Sequence, residues 1–123
     1  MVCTNLALAS TLAAASCFIA AGAAAKAGVS TETLFDAFSK GSADSFALRN
    51  HGLKAVAPRA FPERVFPTDY MLKDLGYALE MAGDGGIKAA QAALDSSLLA
   101  AASRAGFGAN YWPVILKIIE GAS

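Results

Sequence analysis

Residues 4–27 read TNLALASTLAAASCFIAAGAAAKA, and their reading decides the fold. The first charged side chain is Lys26, and alanine, the best helix former, dominates the stretch. Gly28 then offers the left-handed conformation at which helices commonly stop. The expectation is one helix over residues 4–27. It is apolar on nearly every side, so an ordinary surface position does not suit it; it has to lie at the centre of a bundle or be covered by a partner.

Outward from that helix, the chain of 123 residues is one domain's worth. Hydrophobic residues make up 55% of it, enough for a packed core and against disorder. Ten Lys and Arg balance ten Asp and Glu, so no concentrated basic surface exists for counterion release, and nucleic acid is not an expected partner. β-Branched residues are scarce outside residues 114–119. The expected class is therefore all-α, a bundle of about six helices around the long N-terminal one.

The uncharged residues 1–25 are long enough to span a bilayer. They lack the basic start of a signal peptide, and Thr4, Asn5, Ser10, Thr11 and Ser16 interrupt them, which favours a buried helix in a soluble, cytoplasmic protein over a membrane or export segment.

Further along, Ser30 reads as an N-cap for a short helix carrying Leu34, Phe35 and Phe38 and ending at Gly41. Ser42 or Asp44 is expected to cap a helix that buries Phe46, Leu48, Leu53 and Val56. Pro58, Pro62 and Pro67 impose an extended crossing segment, pinned by Phe61, Val65 and Phe66. Thr68 or Asp69 opens a helix with inward Leu72, Leu75, Ala78, Leu79 and Ala82, terminated by Gly83, Gly85 and Gly86. A helix over residues 87–105 is broken by Gly106 and Gly108, and a last one begins near Tyr111 with Pro113 in its first turn.

Chemistry is sparse. Cys3 and Cys17 fall about 21 Å apart along one helix and cannot bridge each other there. His51 is the sole histidine, so no zinc-type cluster is expected. Gly83-Asp84-Gly85-Gly86 follows a helix rather than a strand and is a connection, not a dinucleotide loop. Lys73 shares a helical face with Tyr70 and Tyr77 and could hold an anion there; the plainer reading is an Asp69–Lys73 ion pair worth about 0.3–0.5 kcal/mol. Asn5 is by the plainer reading a satisfied buried amide, and the turn from Ser42 to Ser45 is capping chemistry.

Six segments then make a pattern. Asn5-Leu6-Ala7-Leu8, Ala27-Gly28-Val29, Gly41-Ser42-Ala43-Asp44-Ser45, Phe61-Pro62, Met71-Leu72-Lys73-Asp74-Leu75-Gly76-Tyr77-Ala78-Leu79 and Ala105-Gly106-Phe107-Gly108 resemble, in order and spacing, the C-terminal helical domain of β-hydroxyacid dehydrogenases, the fold shared by 6-phosphogluconate and 3-hydroxyisobutyrate dehydrogenases. The match is to the 3-hydroxyisobutyrate branch and covers essentially the whole of residues 1–123. The resemblance implies a substrate-side and dimerisation domain whose intact enzyme binds NAD or NADP through a separate Rossmann half, and no strand-Gly-x-Gly-helix unit occurs in this chain.

Carried over residue by residue, the resemblance implies substrate binding by Asn5, with Ser42 and Ser45 on a cleft-facing turn, and a cofactor-side position for Lys73. Asp74 is expected to be structural. Thr4-Asn5 stands at the family's amide pair, while Met1 stands at the place of its catalytic lysine and carries no proton for acid–base work, so no catalytic residue is assigned. Ser16-Cys17-Phe18-Ile19 departs from the family's usual Ser-Glu-Ala-Leu. Two classes of function follow: a domain of an NAD(P)-dependent oxidoreductase of small hydroxy acids, inactive alone, or a non-catalytic helical module that associates with itself through the apolar first helix.

Overall fold

A computed structural model describes residues 2–121, and the side chains of all of these except residues 2–4 and 7. The placements expected for Met1 and for the side chains of Cys3 and Thr4 lie outside the described residues.

The long apolar stretch forms α1 (Val2–Lys26). It packs against five helical elements: α2 (Thr31–Phe38), a π-helical segment (Leu48–Val56), α3 (Thr68–Asp84), α4 (Ala90–Ala102) and α5 (Ile115–Ile119). Centrality explains its composition. Thr11, Ala14, Ala15, Cys17, Phe18 and Ala21 are buried, and all but Phe18 have small side chains that let neighbouring helices approach on several sides. By length and composition Leu8–Lys26 could also cross a membrane, a property that a core helix of this kind shares.

The local punctuation acts largely as the sequence suggests. Gly28 adopts φ +86° behind α1. The Ser30 hydroxyl accepts the Thr33 N–H at 3.1 Å and caps α2. α3 opens at Thr68, Gly86 takes φ +74° after it, and Pro113 sits in the first turn of a 3₁₀ segment (Trp112–Val114) that leads into α5. The core gathers Phe18, Phe35, Leu48, Val56, Leu75, Leu99, Trp112, Ile115 and Leu116, with the Phe18 and Trp112 rings 5.6 Å apart. Burying each such side chain contributes about 1.5–3 kcal/mol.

Several expectations are corrected. Neither Ser42 nor Asp44 caps the third helix; the Ser45 hydroxyl accepts the Leu48 N–H at 2.9 Å, and Asp44 instead pairs with Arg49. The wider π winding that follows buries Leu48, Gly52, Ala55 and Val56 but leaves Phe46 73% exposed and Leu53 partly so. On α3 the buried face is Thr68, Met71, Leu75 and Ala78, with Leu72 and Leu79 at its margin; Met71 faces α1, where its Sδ accepts from the Thr11 hydroxyl at 2.9 Å. α4 starts at Ala90 rather than residue 87, because the Ile87 N–H turns back to the Ala82 carbonyl.

Of the three side chains expected to pin the crossing segment, Phe61 packs against the core while Val65 and Phe66 are exposed, and backbone bonds hold the segment instead. The Tyr111 N–H donates to the Pro62 carbonyl at 2.8 Å, Trp112 N–H to Phe66, Thr68 N–H to Asn110 and Asp69 N–H to Gly108, with antiparallel bridges Glu63 to Asn110 and Pro67 to Tyr111. The Asn110 amide adds a bond to the Phe61 carbonyl at 2.8 Å. The extended segment thus lies paired against residues 107–112. Lys117 sits 5.0 Å from the Phe107 ring centroid and 5.9 Å from that of Phe61, joining the two segments by cation–π contact.

Candidate functional site

That pairing places Phe66 and the Tyr111-Trp112 dipeptide beside the first half of α1, and an open groove of about 480 Å³ lies where they meet. Leu6 and Ser10, four apart on one face of α1, form one wall. Asn50 and His51 come from the π-helical segment, Val65 and Phe66 from the crossing segment, Met71 and Asp74 from α3, and Tyr111 and Trp112 complete the lining. The volume suits a small molecule, and the mixture of aromatic wall with a few polar groups is what such sites use.

Two backbone features shape it. Phe66 has φ +34° immediately before Pro67, a conformation that costs a non-glycine residue energy and is held here by the Trp112 N–H bond to its carbonyl. Gly52 lets the π segment lie against α2: a Cβ there would stand 2.9 Å from Phe35 Cε2. π Turns of this kind recur at functional sites.

The polar centre of the groove is a pair 60 residues apart in sequence. His51 Nδ1 and the Tyr111 hydroxyl share a short hydrogen bond, and the His51 ring meets Trp112 edge-on with centroids 5.0 Å apart. Burial, helped by the charge of Lys54, holds the His51 pKa below its ordinary value, so the imidazole is neutral at neutral pH. Burial pushes the Tyr111 phenol up, which keeps it protonated. Lys54 itself donates to Asn50 Oδ1 at 2.9 Å. Asp74 makes no hydrogen bond or ion pair to another described residue, so its expected structural role is corrected: it lines the groove as a carboxylate open to a ligand.

Of the residues given roles from the sequence, Asp74 lines this groove, whereas Asn5, Ser42, Ser45 and Lys73 are not among its lining residues. Asn5 is exposed on α1 beside Leu6, not a buried amide. Lys73 is exposed one position before Asp74, its ammonium 4.8 Å from the centroid of the Tyr70 ring. The Asp69–Lys73 ion pair does not form; Asp69 accepts instead from the Ser103 hydroxyl at 2.6 Å. Ser42 is exposed on its turn and Ser45 caps the helical turn that leads into the π segment. Asn50, His51, Tyr111 and Trp112 escaped the sequence reading. The only available signal was compositional, since the chain's single histidine and single tryptophan prove to be neighbours.

Outside the groove, Asp95 on the buried face of α4 is 2% exposed, and its Oδ2 has no hydrogen-bond partner among the described residues. Burial raises its carboxyl pKa to about 6.

Two solved structures share this architecture. A 3-hydroxyisobutyrate dehydrogenase from Salmonella typhimurium superposes with a TM-score of 0.87 at 23% identity, covering 95% of this chain and 40% of that one. A 3-hydroxyisobutyrate dehydrogenase from Mycobacterium tuberculosis, solved with L-serine, gives 0.83 at 18% identity, covering 96% of this chain and 42% of that one. The chain thus spans about two fifths of the length of these relatives. No curated protein matches its sequence. The family model described as the NAD-binding domain of NADP-dependent 3-hydroxyisobutyrate dehydrogenase matches residues 2–117, and the chain belongs to that family.

Proposed function

We propose that residues 1–123 form the helical, substrate-side domain of an NAD(P)-dependent oxidoreductase of the 3-hydroxyisobutyrate type, cytoplasmic and inactive on its own. The observation that carries this reading is the groove in which α1, the π segment, α3 and Tyr111-Trp112 converge on a free carboxylate and a neutral His–Tyr pair. Family membership supplies the reaction class, hydride transfer between a small hydroxy acid and a nicotinamide.

Within that reaction the chain's task is to bind and orient substrate and to keep water away from it. Asn5, exposed next to Leu6 at the groove's edge, is assigned to the substrate's hydroxyl or carboxylate. Ser42 belongs to the turn that faces the cleft; Ser45 shapes the same turn by capping the helix behind it. The face bearing Tyr70, Lys73 and Tyr77 fits the edge of a nicotinamide cofactor, because Lys73 has no ion-pair partner among the described residues and both rings are exposed. In the intact enzyme NAD or NADP would carry the hydride, and Lys73 would supply a fixed positive charge beside it.

A second assignment concerns assembly. Leu6 and Ile19 are exposed on α1 together with Ala9, Ala13 and Ala23, an apolar strip that favours homo-oligomer contacts along this helix. Size-exclusion chromatography with light scattering tests it: an oligomer is expected, and a monomer at high concentration contradicts it.

Titrating the chain with 3-hydroxyisobutyrate while following Trp112 fluorescence tests the main reading. A saturable change with no NAD(P)-dependent turnover is expected. Turnover by the chain alone, or no response to the hydroxy acid, contradicts it.

A further inference from the structure

The proposed function leaves open which part of a substrate reaches the interior of the groove, and the charges around it constrain that. Asp74 is the sole charged side chain of the lining, because no lysine, arginine or glutamate is among these residues and His51 is neutral. Its carboxylate is half-buried and makes no hydrogen bond or ion pair to another described residue. Leu6, Val65, Phe66, Met71 and Trp112 make much of the remaining wall apolar, so a ligand that enters takes water from the carboxylate and has to replace what that water supplied.

Each kind of ligand group meets this charge differently. A second carboxylate is repelled by it. A hydroxyl donates one hydrogen bond and leaves the charge in place. An ammonium donates a charge-assisted bond and cancels the charge, in surroundings where few polar groups compete for either partner. A metal ion is not served, since no group of three His, Cys, Asp or Glu among the described residues could hold one. The π-segment wall carries the other sign: Lys54 is bonded to the lining residue Asn50 and helps to hold the His51 pKa down, so its field extends to that side of the groove. The groove is therefore polarised, negative on the α3 wall and positive behind the π segment. A ligand with an ammonium at one end and a carboxylate at the other matches both walls, whereas an amine on the carbon next to the carboxylate would bring that carboxylate against Asp74.

We infer that Asp74 binds a primary ammonium group carried at the end of the substrate remote from its carboxylate. This rests on the substrate-side reading above and narrows the ligand class to amino hydroxy acids whose amine and carboxylate are separated by several carbons. Asp74 holds the ligand by this group and moves no proton in the reaction.

Four acids that share one skeleton and differ only in the group on C4 test this: 3-hydroxypentanoate with a methyl, 3,4-dihydroxybutanoate with a hydroxyl, 4-amino-3-hydroxybutanoate with an ammonium and 3-hydroxyglutarate with a carboxylate. Each is titrated at pH 7 into the 123-residue chain, with the single histidine's ring protons and the single tryptophan's indole N–H followed by NMR. The amino acid is expected to bind roughly tenfold more tightly than its methyl isostere, the dihydroxy acid to lie near the methyl compound, and the dicarboxylate to bind most weakly. Asp74→Asn keeps the shape and removes the charge, and should bring the ratio of amine to methyl compound to about one. Asp74→Lys should reverse the order and place 3-hydroxyglutarate above the amine; the asparagine variant provides the test should the lysine variant fail to fold.

Equal binding of the amine and methyl compounds, or a preference for the hydroxyl or the second carboxylate, overturns the inference while the substrate-side reading stands. Absence of any response to all four acids overturns both. A ratio unchanged in Asp74→Asn assigns the amine to other groups and overturns the site.

Discussion

Replacing Asp95 by asparagine should stabilise the chain at neutral pH and remove a pH dependence that the carboxylate creates. Asp95 is 2% exposed, with Oδ2 unpartnered among the described residues. Its pKa is about 6 in the folded chain against an ordinary 3.8. Between those values the unfolded chain has released a proton that the folded chain still holds, so stability falls as pH rises from about 4 to about 6 and then levels off. A difference of about two pH units corresponds to about 3 kcal/mol, a large fraction of a small domain's stability. Asparagine has nearly the same shape and no charge. It should match the wild type near pH 4 and exceed it by up to about 3 kcal/mol at pH 8, roughly 10 °C in Tm. Urea unfolding at several pH values, followed by Trp112 fluorescence, reads this directly. His51, whose pKa is lowered, contributes the opposite trend, with stability gained as pH rises through its unfolded value; it is common to both proteins and cancels in their difference. A pH-independent difference between the two, or a wild type that is the more stable at pH 8, refutes the reasoning.

Two pairs of substitutions probe the scaffold. Gly108→Ala places a Cβ 2.5 Å from Asp69 Oδ2, whose carboxylate is tied to Ser103, and should cost about 1–3 kcal/mol in thermal unfolding, with Asp69→Ala restoring most of the loss. Ser45→Ala deletes the cap on the helical turn that leads into the π segment and should cost about 1 kcal/mol, whereas Ser42→Ala should leave the unfolding free energy within about 0.5 kcal/mol of wild type; equal losses would contradict the cap assignment.

What the sequence discloses is the part of the structure written in local signals. The uncharged residues of α1, the φ +86° stop at Gly28 and the cap at Ser30 are each readable within a few residues, and they place a long helix at the centre of an all-α bundle. Family-bearing motifs point to the same fold. The orientation of α3 is less legible, because leucines at Leu72 and Leu79 outweigh Met71 in any hydrophobic count, yet packing between α1 and α4 puts Met71 inward, against Thr11.

The groove was hidden for a different reason. Its central pair joins His51 to Tyr111 across 60 residues, and what brings Phe66 to Trp112 is a run of backbone bonds between two irregular segments. Main-chain pairing of that kind has no periodicity and leaves no mark on residue type. Phe46 shows the converse: its hydrophobicity suggests burial, but the cap at Ser45 and the wide π winding after it turn the ring to solvent.

The central claim is that this helical domain supplies one wall of a hydroxy-acid site. Residue-resolved NMR of the isotopically labelled chain, titrated with 3-hydroxyisobutyrate, tests it most directly. The account predicts saturable shifts clustered on Leu6, Ser10, Asn50, His51, Asp74, Tyr111 and Trp112, with smaller ones at Asn5. Shifts confined to the opposite end of α1, around Ile19, Lys26 and Glu120, or no shifts at all, would contradict it.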